Sequence, residues 1–123
     1  MTQILLVDDT KTVLLLEGML VQSAGFETVT AADGMEAIAS VKRSPPDLIV
    51  MDIAMPVMDG IEACRILKAN PQTKQIPIVM LTTMGDKKSI EKARAAGCDD
   101  YITKPVQKQE LIKKIKALLV VKR

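Results

Sequence analysis

Short runs of apolar residues alternate along the chain with segments whose apolar positions recur every three or four residues, and the alternation repeats five times. Strands give the first signature and amphipathic helices the second, so the succession predicts repeated βα units around a parallel sheet. Strands are expected at Gln3 to Val7, Glu27 to Ala31, Leu48 to Asp52, Ile78 to Thr82 and, shorter and more polar, Asp100 to Thr103. The three that would be central are nearly all apolar, as strands covered on both faces must be. Helices are expected at approximately Thr10 to Ala24, Gly34 to Arg43, Gly60 to Asn70, Lys87 to Ala96 and Gln107 to Val120. Gly25, Ser44-Pro45-Pro46, Asn70-Pro71 and Gly97 follow the first four as stop signals, and Asp33, Asp59 and Asp86 stand where N-caps belong. In the first helix Val13, Leu16 and Leu20 read as the buried face, which turns Leu14 and Leu15 outward. With 123 residues and no internal linker, one α/β domain spanning 1–123 is expected.

Composition narrows the function classes. Aromatic residues make up only 2%, which leaves no stacking platform for nucleic-acid bases. No apolar run approaches 18 residues and no signal-peptide core precedes Asp8, so a cytoplasmic chain without membrane contact is expected. Cys64 and Cys98 form no CxxC pair and histidine is absent, which argues against a disulfide framework or a zinc site and for reduced thiols. Neither GxGxxG nor GxxxxGK occurs, so dinucleotide and P-loop chemistry lose support. The net charge of +2 divides unevenly: residues 1–85 carry −4 and residues 86–123 carry +6. The basic part reads either as a surface for an acidic partner or as the solvated faces of two amphipathic helices.

Charged and hydroxyl groups sit where the apolar runs stop: Asp8-Asp9, Asp52, Thr82-Thr83 and Lys104-Pro105. In a parallel α/β sheet the carboxyl ends of the strands lie together, so these groups are expected in one crevice. Carboxylates brought together repel unless a cation joins them, and hard oxygen ligands suit Mg²⁺. The implied chemistry is phosphoryl transfer on a carboxylate.

Four segments, Leu-Val-Asp-Asp (6–9), Asp-Ile-Ala-Met-Pro-Val-Met-Asp-Gly (52–60), Leu-Thr-Thr (81–83) and Asp-Asp-Tyr-Ile-Thr-Lys-Pro (99–105), resemble in order and spacing the receiver domain of two-component response regulators. The likeness spans essentially the whole chain. It implies a five-stranded, doubly wound parallel sheet of the flavodoxin-like type with strand order 2-1-3-4-5. It further implies that Asp52 accepts a phosphoryl group from a sensor histidine kinase, a phosphotransfer domain or a small phosphodonor. Asp8, Asp9, Asp52 and the backbone carbonyl of Ala54 would then bind Mg²⁺, and Lys104 would reach the phosphoryl oxygens. Thr82 and Tyr101 would form the switch that alters the surface of the fourth helix, fifth strand and fifth helix, and a cis bond would join Lys104 to Pro105. The chain would signal rather than turn over an external substrate, catalysing only its own phosphorylation and dephosphorylation.

Some residues depart from the family pattern. Ala54 and Met84, two positions beyond Asp52 and Thr82, are apolar and cannot orient a hydrolytic water, so slow self-dephosphorylation is expected. Thr83 replaces a small residue beside Tyr101. Asp99, Asp100, Glu110 and Lys114 belong to the charge set with which DNA-binding receivers dimerise, but Ile90 and Ala117 stand where basic residues would complete it. A monomer or a weak phosphorylation-dependent dimer, signalling to a separate protein rather than to nucleic acid, is therefore expected. Leu14, Leu15 and Val57 are candidates for a kinase-docking patch. A protein-interaction module of the same fold without phosphoryl chemistry is the alternative.

Overall fold

The structure, a computed structural model, describes residues 1–83 and 86–121, Val121 in its backbone only. In chain order the elements are β1 (Gln3–Val7), α1 (Lys11–Gln22), β2 (Glu27–Ala31), α2 (Gly34–Arg43), β3 (Leu48–Asp52), α3 (Gly60–Ala69), β4 (Ile78–Thr82), α4 (Lys87–Ala95), β5 (Asp100–Thr103) and α5 (Lys108–Val121). The strands form one parallel sheet in the order β2-β1-β3-β4-β5. β3 is thereby bonded on both sides, with Val7 opposite Met51 and Asp52 opposite Leu81.

Successive side chains of a strand face opposite ways, and the sheet sorts its apolar residues accordingly. Leu5, Val7, Ile49, Met51, Ile78 and Met80 point to one face, where Ala37 and Val41 of α2, Ala63, Cys64 and Leu67 of α3 and Ala93 of α4 cover them. Ile4, Leu6, Leu48, Val50, Val79, Leu81 and Ile102 point to the other, against Val21 of α1 and Leu111 and Ile115 of α5. Each such Leu or Ile contributes roughly 2 kcal/mol by burial.

Local chemistry sets the helix starts. Asp33, Asp59 and Asp86 cap α2, α3 and α4 by accepting the N–H groups of Glu36, Glu62 and Ser89 at 2.9, 2.9 and 3.2 Å. α1 begins one residue later than the pattern suggests: Thr10 is extended at φ −109 and ψ 116, with its N–H on Asp8 Oδ1 at 2.9 Å and its carbonyl accepting the Leu14 N–H at 3.1 Å, so it precedes the helix as the N-cap.

α1 turns partly away from the face expected: Leu20 packs on the core as read from the sequence, but Leu16 does not. Leu16 is 57% exposed and Leu15 is 66% exposed, whereas Leu14 packs against the core beside β1. The buried stripe runs through Leu14, Glu17, Gly18 and Val21, at spacings of three, four and seven. A buried carboxylic acid on that stripe is what misdirects a reading by hydrophobicity. Among the described residues no helix is long and apolar enough to cross a membrane. Both cysteines are free, and burial pushes the Cys64 thiol up to about 12.

Candidate functional site

The carboxyl ends of β1, β3 and β4 and the segment after β5 deliver four side chains to one crevice. Asp8 follows β1, Asp52 ends β3, Thr82 ends β4, and Lys104 follows β5. Backbone bonds hold these ends in register: the Asp8 N–H donates to Ala31 O at 3.1 Å, the Ile53 N–H to Leu81 O at 3.1 Å and the Lys104 N–H to Thr82 O at 2.7 Å. One carboxylate oxygen from each of Asp8, Asp9 and Asp52 lies within 4.8 Å of the others. The Lys104 ammonium stands 3.2 Å from Asp52 Oδ1 and 3.8 Å from Asp8 Oδ2. The Lys104–Pro105 peptide bond is cis.

Asp8, Asp52 and Thr82 are buried while Asp9 and Ala54 are exposed, so the crevice is dry at its base and open at its rim. Burial raises the Asp52 carboxyl above its ordinary value, Lys104 opposes that shift, and Asp8 adds to it. Asp8 Oδ2 and Thr82 Oγ1 are buried yet make no hydrogen bond. Three hard oxygen donors, one of them with an unsatisfied buried atom, suit a small divalent cation such as Mg²⁺. Thr82 Oγ1 is a donor that a further oxygen-rich group can satisfy.

Glycine shapes the wall around Asp52. A Cβ on Gly60 would stand 2.2 Å from Asp52 O, so only glycine lets α3 start against the backbone of Asp52. The loop between β3 and α3 is pinned as well: the Gly34 N–H donates to Met58 O at 3.0 Å, and the Met58 N–H to Pro56 O at 2.7 Å. The latter closes a γ-turn on Val57, a β-branched residue held at φ 68 and 80% exposed. Met55 and Met58 pack against the core and Met80 lies within it; Met84 lies outside the described residues.

Tyr101 on β5 is half-buried, with the Arg94 guanidinium 5.1 Å and the Lys114 ammonium 5.5 Å from its ring centroid. Lys114 also donates to Tyr101 O at 2.7 Å and pairs with Asp100 at 3.1 Å. Asp99 pairs with Lys68 at 2.8 Å. Several charges read from the sequence as an intermolecular set therefore have partners within the chain.

One member of the neighbourhood escapes the sequence pattern. Glu17 of α1 is 4% exposed, and its Oε1 makes no hydrogen bond. Burial, then the charge of Asp8, raises its carboxyl to about 7, against the opposing pull of Lys104.

The response regulator receiver domain family matches residues 4–116. The chain belongs to that family. The receiver is 36% identical over 115 residues to Protein PilG of Pseudomonas aeruginosa, covering 94% of this chain and 85% of that protein. It is also 36% identical over 117 residues to the DNA-binding response regulator MtrA of Mycolicibacterium paratuberculosis, covering 95% of this chain and 51% of the relative. The receiver thus spans about half the length of the DNA-binding regulators it matches. Among solved structures it superposes on a response regulator from Chloroflexus aurantiacus with a TM-score of 0.94 and 35% identity, covering 97% of this chain and 98% of the other.

Proposed function

We propose that this receiver is a phosphoacceptor switch in which the Asp52 carboxylate takes a phosphoryl group from a histidine kinase, a phosphotransfer domain or a small acyl phosphate. An Asp52 oxygen forms the new bond to phosphorus while the donor's bond to phosphorus breaks, and the donor leaves with the electron pair. The observation that carries this reading is the meeting of the Asp8, Asp9 and Asp52 carboxylates within 4.8 Å, with Lys104 at 3.2 Å from Asp52.

Asp8, Asp9, Asp52 and the Ala54 carbonyl hold Mg²⁺, whose charge when bound offsets the repulsion between the acceptor and the incoming phosphoryl oxygens. Lys104 takes up one phosphoryl oxygen, and the Thr82 hydroxyl donates to another. Tyr101 follows Thr82 inward and changes the surface of α4, β5 and α5. The exposed side chains of Leu15 and Val57, with Leu16 in place of the half-buried Leu14, form the docking patch for the phosphodonor protein. The apolar Ala54 gives a slowly hydrolysed phosphoryl group. Residues 1–123 act as one cytoplasmic receiver domain that signals to a separate protein target, and the intramolecular pairing of Asp99, Asp100 and Lys114 favours a monomer.

Incubation with MgCl₂ and acetyl phosphate, followed by intact-mass spectrometry, tests the core of this reading. One phosphoryl increment on the wild type and none on Asp52→Asn is the expected result. No increment from acetyl phosphate or any candidate kinase overturns it in favour of a binding module without phosphoryl chemistry.

A further inference from the structure

Three buried side-chain atoms among the described residues make no hydrogen bond: Asp8 Oδ2, Thr82 Oγ1 and Glu17 Oε1. Asp8 and Thr82 lie at the crevice, and Glu17 lies on α1 beside it. The function proposed above gives the first two their partners, metal and phosphoryl group. Glu17 is left over, and a carboxyl group enclosed by aliphatic side chains is costly to keep unless a cation or donor reaches it.

The nearest cation is in place. Glu17 and Lys104 line one cavity of about 300 Å³, whose other walls are Val13, Leu16, Leu20, Pro105 and Val106. Lys104 therefore stands between two sets of acids, with Asp52 and Asp8 on the crevice side and Glu17 on the cavity side. An ammonium has three donors on a flexible stem and can divide them among carboxyl groups. Binding of a divalent cation by Asp8, Asp9 and Asp52 claims the oxygens that Lys104 holds, and it repels the ammonium. Glu17 belongs to no ligand set and remains available.

We propose that Glu17 is a positioning residue that acts through Lys104: it is the ammonium's second anionic partner and draws it off Asp52 and Asp8 as metal enters. The inference rests on the proposed phosphoacceptor function for its role, but not for its test.

Lysine side-chain NMR of the full chain, with the Lys104 signal identified by its loss in Lys104→Arg, is recorded for wild type and Glu17→Gln at alkaline pH, without metal and with saturating MgCl₂. Glu17 is ionised throughout that range. Adding MgCl₂ is expected to shift the Lys104 signal in the wild type and to shift it only about half as far in Glu17→Gln, where the ammonium has no second anionic partner. Glu17→Asp, which withdraws the carboxyl by one methylene, falls between and serves if the Gln variant folds poorly. Equal MgCl₂-induced shifts of the Lys104 signal in the wild type and Glu17→Gln overturn the proposal.

A double-mutant cycle supplies the functional arm. Glu17→Gln is expected to slow acetyl phosphate transfer about tenfold in the wild type and to change nothing in a Lys104→Ala background. Equal effects in both backgrounds overturn the proposal and leave the phosphoacceptor function standing. If no variant accepts a phosphoryl group, that function fails, and the NMR comparison still decides whether Glu17 governs Lys104.

Discussion

Glu17 makes stability depend on pH in a way that can be calculated. Its carboxyl ionises at about 7 in the fold against an ordinary value of 4.5, because burial, then Asp8, disfavours the anion. Below pH 4.5 the acid is largely neutral in both folded and unfolded chains, and its ionisation takes nothing from stability. Between 4.5 and 7 the unfolded chain releases the proton while the folded chain keeps it, so stability falls as pH rises; above 7 the loss is complete. At about 1.4 kcal/mol for each pH unit, that interval amounts to about 3 kcal/mol. Glu17→Gln removes the ionisation and keeps the shape. Urea unfolding of both proteins at pH 5, 6, 7 and 8 in EDTA, followed by far-ultraviolet circular dichroism, is the assay. The variant is expected to gain on the wild type by about 2.5 kcal/mol between the lowest and highest pH, because part of the loss already lies below pH 5. Asp52 is also raised, but it is common to both proteins and cancels in the difference. Parallel stability curves would refute the reasoning, since they would mean that Glu17 ionises alike in both states.

Three further substitutions follow from the packing. Gly60→Ala places a methyl group 2.2 Å from Asp52 O, and the forced shift of α3 is expected to cost about 3 kcal/mol in urea unfolding and to reduce acetyl phosphate transfer. Val57→Gly relieves a β-branched residue at φ 68; a gain of about 1 kcal/mol is expected, seen as a higher urea midpoint at constant slope. Lys68→Met removes an ammonium that donates to Lys74 O, Ile76 O and Asp99 Oδ2. Loss of this ammonium from the half-buried Asp99 carboxylate, which keeps the Ile78 N–H as a donor at 2.8 Å, is expected to cost about 2 kcal/mol in the same assay, with phosphoryl transfer unchanged.

Much of the fold was legible because each strand is a run of apolar residues ended by a polar one, as Leu48 to Asp52 and Ile78 to Thr82 show. The starts of α2, α3 and α4 were legible for a local reason: an aspartate accepts the N–H three residues on, so cap and partner lie within one turn. The grouping of Asp8, Asp9, Asp52 and Lys104 followed from parallel topology. α1 resisted because Val13 to Leu16 offer apolar residues on every side of the helix, and periodicity then cannot choose a face. The stripe of Leu14, Glu17, Gly18 and Val21 does have helical spacing, and a single acid on it was the available signal of a buried carboxyl. The Lys68–Asp99 pair joins residues 31 apart in sequence and had no local signature.

The place of Asp52 on β3 bears on how long a message lasts. β3 is flanked by β1 and β4, and all five of its residues are buried. Strands of this kind are the last to open, with exchange energies near that of global unfolding. Under the proposed function, a phosphoryl group on Asp52 would be fastened to the slowest part of the molecule, while the water that removes it would arrive through the loops above. The clock can therefore be reset by editing the residues of those loops, leaving the mainspring untouched.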